Sequence, residues 1–127
     1  MPVLMLHHVN LQGSREIVEQ LKDFYCSIVG LAEGYRPQVA SFGYWLYAGN
    51  KAVLHLSEEK PNDRHSANLR TTFDHVAFGC TMPQEMETRL IKHGIQYRCS
   101  HVPGSGTLQI FFRDPAGNGV ELSFSIA

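Results

Sequence analysis

Phe73-Asp74-His75-Val76-Ala77-Phe78 is a short apolar run carrying one histidine, and it echoes Leu6-His7-His8-Val9-Asn10-Leu11 earlier in the chain. Laying His8 on His75 shifts the sequence by 67 residues. A second alignment runs without a gap: residues 46–57 lie over residues 112–123 at an offset of 66. It places His55, in Val53-Leu54-His55-Leu56-Ser57, on Glu121, in Gly119-Val120-Glu121-Leu122-Ser123. Two offsets that differ by one residue indicate an internal duplication, and half-repeats of this size need a partner to bury a core.

Each half reads as a strand, a helix and about three strands. Residues 3–11 alternate as a strand, with Leu4, Leu6, His8 and Asn10 on one face and Met5, His7, Val9 and Leu11 on the other. Ser14 is placed to cap a helix whose apolar stripe is Ile17, Val18, Leu21, Phe24, Tyr25 and Ile28, and Gly30 ends it. After Gly34-Tyr35-Arg36-Pro37, residues 42–47 and 52–57 read as strands joined by the turn Ala48-Gly49-Asn50-Lys51. Residues 58–71 are polar and read as a linker or surface loop.

In the second half, residues 73–78 form a strand. Thr81-Met82-Pro83-Gln84 is patterned as a capping box with Thr81 as the cap, and Met86 and Leu90 mark a helix that stops at His93-Gly94. A short strand is expected near 95–99, then the Gly-rich stretch Pro103-Gly104-Ser105-Gly106. Strands at 108–113 and 119–124 flank the turn Asp114-Pro115-Ala116-Gly117-Asn118. The expected fold is α+β: one domain over residues 1–127, built of two βαβββ modules of about 1–57 and 72–127 joined by the polar linker.

A chain of 127 residues with 43% apolar and 18% charged residues suits one globular domain. A net charge of -1 gives no basic field for nucleic acid or anionic lipid. No apolar stretch reaches the roughly 18 residues that span a bilayer, and the start lacks the pattern of a signal peptide. Cys26, Cys80 and Cys99 are odd in number and lack C-x-x-C spacing, so reduced thiols and a cytoplasmic setting are expected.

Four candidate ligands thus occupy two pairs of repeat-equivalent positions in apolar strands: His8 with His75, and His55 with Glu121. Taken singly, a strand histidine is most often a hydrogen-bonded structural residue, and that reading stands for His7, His65, His93 and His101. Strand alternation turns His7 away from His8, toward the helices. For the set of four, coincidence of residue type and register outweighs it. Halves paired about a pseudo-twofold axis would bring three imidazoles and a carboxylate to one point, where a divalent cation satisfies them all. Nitrogen and oxygen donors without thiolate suit zinc, nickel, iron(II), cobalt or manganese. Tyr44, Trp45, Tyr47 and Phe111 could line a ligand pocket but read more simply as strand core, and Arg36, Arg98 and Arg113 could meet an anionic substrate but read more simply as surface.

Together with Asp23-Phe24-Tyr25 and Val29-Gly30-Leu31, the two histidine runs and residues 114–122 resemble the vicinal oxygen chelate superfamily. This is the group of glyoxalase I, fosfomycin resistance enzymes, methylmalonyl-CoA epimerases, extradiol dioxygenases and bleomycin-binding proteins. The resemblance covers nearly the whole chain. It implies paired βαβββ modules whose sheets curl into a cup around a metal, with His8, His55, His75 and Glu121 on the family's ligand positions. His55 departs from glyoxalase I and the epimerases, which carry a glutamate, glutamine or amide-type residue there. The resemblance implies a metal-dependent lyase or isomerase that chelates vicinal oxygens of a small substrate and moves a proton, with Glu121 as the catalytic base. Its alternatives are an iron(II) extradiol-type dioxygenase using His8, His75 and Glu121, or a non-enzymatic drug- or metabolite-binding resistance protein. A homodimer is the expected assembly.

Overall fold

The computed structural model describes residues 2–62 and 71–125 and divides into two compact units, Met1–Leu69 and Arg70–Ala127. Each holds a four-stranded mixed sheet, and the two sheets share one strand plan. The architecture is α+β, a duplicated βαβββ module.

In the first unit, β1 (Val9–Gly13) leads to α1 (Arg15–Phe24), which widens into a π-helical turn over Tyr25–Val29. Ser14 caps α1, its Oγ accepting the Ile17 N–H at 3.3 Å. Gly30, at φ 101°, ends the helix in the left-handed conformation that glycine adopts without strain. β2 (Ala32–Gly34), β3 (Gly43–Ala48) and β4 (Lys51–Glu58) follow, in the spatial order β1-β4-β3-β2. β1 runs parallel to β4, and the other pairs are antiparallel. Val18, Leu21, Tyr25 and Ile28 bury one stripe of the helix, and Leu46, Leu54 and Leu56 are buried in the sheet.

The second unit repeats this with β5 (His75–Cys80), α2 (Pro83–Lys92), β6 (Arg98–Val102), β7 (Thr107–Arg113) and β8 (Gly119–Ser125), in the order β5-β8-β7-β6. β5 is parallel to β8. Leu108, Ile110 and Phe112 of β7 and Val120, Leu122 and Phe124 of β8 are buried at every second position, as are Met86 and Leu90 one turn apart on α2. Phe111 and Glu121, at the intervening positions, therefore belong to the opposite face of this sheet.

Several local expectations are corrected. The first strand starts at Val9 rather than at residue 3, because its parallel pairing begins with Val9 opposite Leu54. Leu4 and Leu6 before it are 87% and 82% exposed. β5 likewise starts at His75 rather than 73, and β6 lies at Arg98–Val102 rather than 95–99. The capping box does not form. Pro83 occupies the first turn, and the cap is Met82, at φ 63° and without a side-chain cap bond. β2 was not located from sequence, since three residues ending in glycine carry no readable alternation. Most of the expected linker, with His65, lies outside the described residues.

The turn between β7 and β8 is tied by one carboxylate. Asp114 is 5% exposed; its Oδ1 accepts the N–H groups of Ala116 and Asn118 at 2.9 and 3.0 Å, and its Oδ2 accepts Asn118 Nδ2 at 3.0 Å. Replacing Asp114 with alanine leaves these donors unpaired and is expected to lower unfolding stability by about 1–3 kcal/mol in denaturant titration, with Asp114→Asn losing less.

Candidate metal-ligand pairs and the cavity beside them

In the first unit, Asn10 of β1 and Trp45 of β3 flank His55 of β4 in register, and His8 lies two residues before Asn10. The His55 ring is held between two others. Trp45 stacks on it at 4.0 Å and 10°, and His8 stacks at 3.8 Å and 13°. Two parallel rings at such distances must occupy opposite faces. His55 Nε2 lies 3.1 Å from the Ala52 carbonyl, so Nε2–H donates there and Nδ1 keeps the lone pair. His55 is buried, and burial, with the nearby His8, pushes its pKa below the ordinary 6.5.

His7 corrects an expectation. It stands before β1, where strand alternation does not apply. Its Nδ1 lies 3.0 Å from His8 Nδ1, and the rings meet edge to face at 5.2 Å.

In the second unit, Ala77 of β5 and Phe111 of β7 flank Glu121 of β8, and His75 lies two residues before Ala77. The register is that of the first unit. Glu121 is 7% exposed. Its Oε1 is 3.1 Å from His75 Nε2, and its Oε2 accepts Gln109 Nε2 at 3.2 Å. His75 Nδ1 lies 2.8 Å from Asp74 Oδ2, and Phe111 meets the His75 ring edge-on at 5.8 Å. The hydrogen bond to Asp74, with the attraction of Glu121, raises the His75 pKa above 6.5. Gly119 lets the strands approach, since a Cβ there would lie 2.2 Å from the Asp74 carbonyl oxygen and 2.9 Å from the His75 Cβ.

With Nδ1–H given to Asp74, a neutral His75 turns a lone pair toward the Glu121 carboxylate. Two acceptors at 3.1 Å require a proton or a cation. That separation also fits a common ion, since neighbouring donors about 2.1 Å from a metal in octahedral geometry stand about 3 Å apart. Asp74 toward His75 and the Ala52 carbonyl toward His55 are the outer partners that orient ligating imidazoles. Among the described residues, no three His, Cys, Asp or Glu side chains form a group that would hold a metal. The candidates stand in twos, His8 with His55 and His75 with Glu121.

No family model matches the sequence, and no curated protein matches it. Solved structures do. A glyoxalase family protein from Enterococcus faecalis superposes with a TM-score of 0.65 at 25% identity, over 97% of this chain and 99% of that one. The chain has the vicinal oxygen chelate fold. A lactoylglutathione lyase from Agrobacterium tumefaciens matches at TM-score 0.70 and 21% identity, covering 98% and 96% of the two chains. A glyoxylase/bleomycin resistance protein/dioxygenase domain from Frankia sp. matches at 0.72 and 18%, covering 97% and 98%.

On this glyoxalase-type fold, the second unit carries a cavity of about 590 Å³ at the end of its sheet, reaching His75, Phe111, Arg98 and Arg113. Sequence reading missed Trp45, Phe111, Asp74 and Gln109 as neighbours of the candidate ligands. One signal was available, since the offset of 66 that aligns His55 with Glu121 also aligns Trp45 with Phe111.

Trp45 is the only tryptophan, so its emission reports on His55. Imidazolium quenches a stacked indole. In the metal-free protein, emission is expected to fall with a midpoint below pH 6.5, and His55→Ala should abolish the step. The His75 ring followed by NMR should titrate above 6.5. Protonated His75 then stabilises the metal-free fold below 6.5, and that contribution disappears as pH rises through the raised value.

Proposed function

We propose that this chain is a divalent-metal-dependent enzyme that chelates adjacent oxygens of a small molecule and transfers a proton within it, as a lyase or isomerase of the glyoxalase kind. The observation that carries the reading is Glu121, a buried carboxylate in an apolar strand with one oxygen against His75 at 3.1 Å and the other fixed by Gln109. A carboxylate in that position is costly to bury without a cation or a proton partner.

The proposed ligands are His8, His55, His75 and Glu121. Bound there, a zinc, nickel, iron(II), cobalt or manganese ion supplies Lewis acidity that stabilises negative charge on the substrate oxygens. The chain's own groups do the rest. Asp74 fixes the tautomer of His75, and the Ala52 carbonyl fixes that of His55. Gln109 orients the Glu121 carboxylate through Oε2, and that carboxylate would take a proton from substrate carbon and return it to the neighbouring atom. The proposed setting is cytoplasmic, consistent with three free thiols, and the proposed assembly is a homodimer. Among the described residues, no helix is long and apolar enough to cross a membrane.

The stacking of Trp45 on His55 also favours a second reading, a protein that binds a drug or metabolite against an aromatic wall without turning it over. Oxygen consumption dependent on iron(II) would instead point to the dioxygenase alternative.

Metal analysis of protein purified without added metal decides the ligand set. One equivalent is expected in the native chain, with strong loss in each of His8→Ala, His55→Ala, His75→Ala and Glu121→Ala. Stoichiometric metal in any three of these variants would remove the proposal. Because the ligands must be deprotonated, loading should rise with pH, opposite to the His75 contribution in the metal-free protein. Glu121→Gln should lower turnover by about 100-fold or more while substrate affinity changes less.

A further inference from the structure

The cavity of the second unit has a chemistry that the ligand pairs do not use. Arg98 at the start of β6 and Arg113 at the end of β7 both line it, together with His75, Phe111 and Tyr97. Strand pairing sets this arrangement. Arg98 lies opposite Phe111, and Phe111 opposite Glu121, so the three share one sheet face. Arg113 lies opposite Gly119, which lies opposite His75. Two guanidiniums therefore stand on the face and at the sheet end that carry His75 and Glu121.

Both are held in place yet retain donors. The Arg98 guanidinium lies 4.2 Å over the centre of the Phe111 ring, which fixes its plane and leaves its edge N–H groups open. Arg113 Nη1 donates to the Gly117 carbonyl at 2.9 Å. Among the described residues, no carboxylate forms an ion pair with either arginine. The acidic residue of the cavity wall, Asp74, is engaged by His75 at 2.8 Å. Two guanidiniums with open donors line the wall, balanced by Asp74 in the wall and Glu121 on the same sheet face, and Phe111 and Tyr97 add aromatic surface.

We propose that this cavity binds the anionic group of the substrate, a carboxylate or phosphate on a small aromatic or otherwise planar molecule, through Arg98 and Arg113. The substrate class is then an organic anion whose charged end sits at the arginines and whose reacting oxygens reach toward His75 and Glu121. Only that last placement rests on the proposed function; the anion site stands on the cavity alone.

The test uses the full-length metal-free chain at low salt, where charge pairing is least screened. Benzoate, phenyl phosphate and neutral benzyl alcohol are titrated, with binding followed by NMR of the Phe111 ring and by calorimetry. Both anions are expected to bind and shift Phe111, and the tighter one identifies the headgroup. Arg98→Met and Arg113→Met should each weaken anion binding by about tenfold, as expected for loss of charge-assisted hydrogen bonds, and the double variant should abolish it. Arg113→Lys should keep part of the affinity, and Arg15→Met in the first unit should have no effect. Anions that bind the double variant as tightly as the native chain, or no more tightly than benzyl alcohol, would overturn the proposal. Metal content is measured on the same variants. Native metal content without anion binding removes this site alone, whereas anion binding without metal in the native chain removes the proposed function alone.

Discussion

Each unit depends on one constraint: its first strand pairs in parallel with its last. Parallel neighbours cannot be joined by a tight turn, so the chain must travel through a helix and two further strands before it returns. The last strand then inserts beside the first and acquires a neighbour on each side. That one decision sorts the candidate ligands by environment. His55 and Glu121 sit on inner strands and are buried; His8 immediately precedes an edge strand and His75 starts one, where the His75 side chain keeps 35% of its exposure. A buried donor and a more accessible one, two positions out of register, follow in both units from a single topology.

The same plan yields two electrostatically different pairs. In the first unit, the inner position holds an imidazole between an indole and another imidazole, and burial favours its neutral form. In the second, the inner position holds a carboxylate against an imidazole, and Asp74 together with that carboxylate favours the protonated form of His75. The duplication kept the register and changed the charge. A buried carboxylate therefore stands in one unit where the other holds a neutral imidazole.

The helix stripe around Val18 and Leu21, the alternation in β7 and β8 and the repeat offset were readable because each reports a periodic demand of burial. What failed was information carried by pairing. Residues 3–8 alternate as a strand would, but no partner strand extends beside them in the first unit, so Leu4 and Leu6 remain exposed and the alternation misplaced His7. The pattern Thr81 to Gln84 satisfied a capping rule, yet the backbone at Met82 took the cap position. For the candidate site, residue types and register were legible, whereas the partners Asp74, Gln109 and Trp45 were not, because they are fixed by cross-strand neighbours and rotamers rather than by spacing along the chain.

Position 121 shows how far the two pairs have diverged in use. A histidine there would restore the symmetry of the repeat and still present a nitrogen donor, but it would leave Gln109 without its carboxylate acceptor and His75 without an anion at 3.1 Å. The sheet face that carries Arg98 and Arg113 would then hold an imidazole in place of its buried carboxylate. Glu121 thus joins two contacts at one buried point: one oxygen against His75 and the other accepting from Gln109. The carboxylate breaks the repeat at an inner position where an imidazole would supply a nitrogen donor and no negative charge.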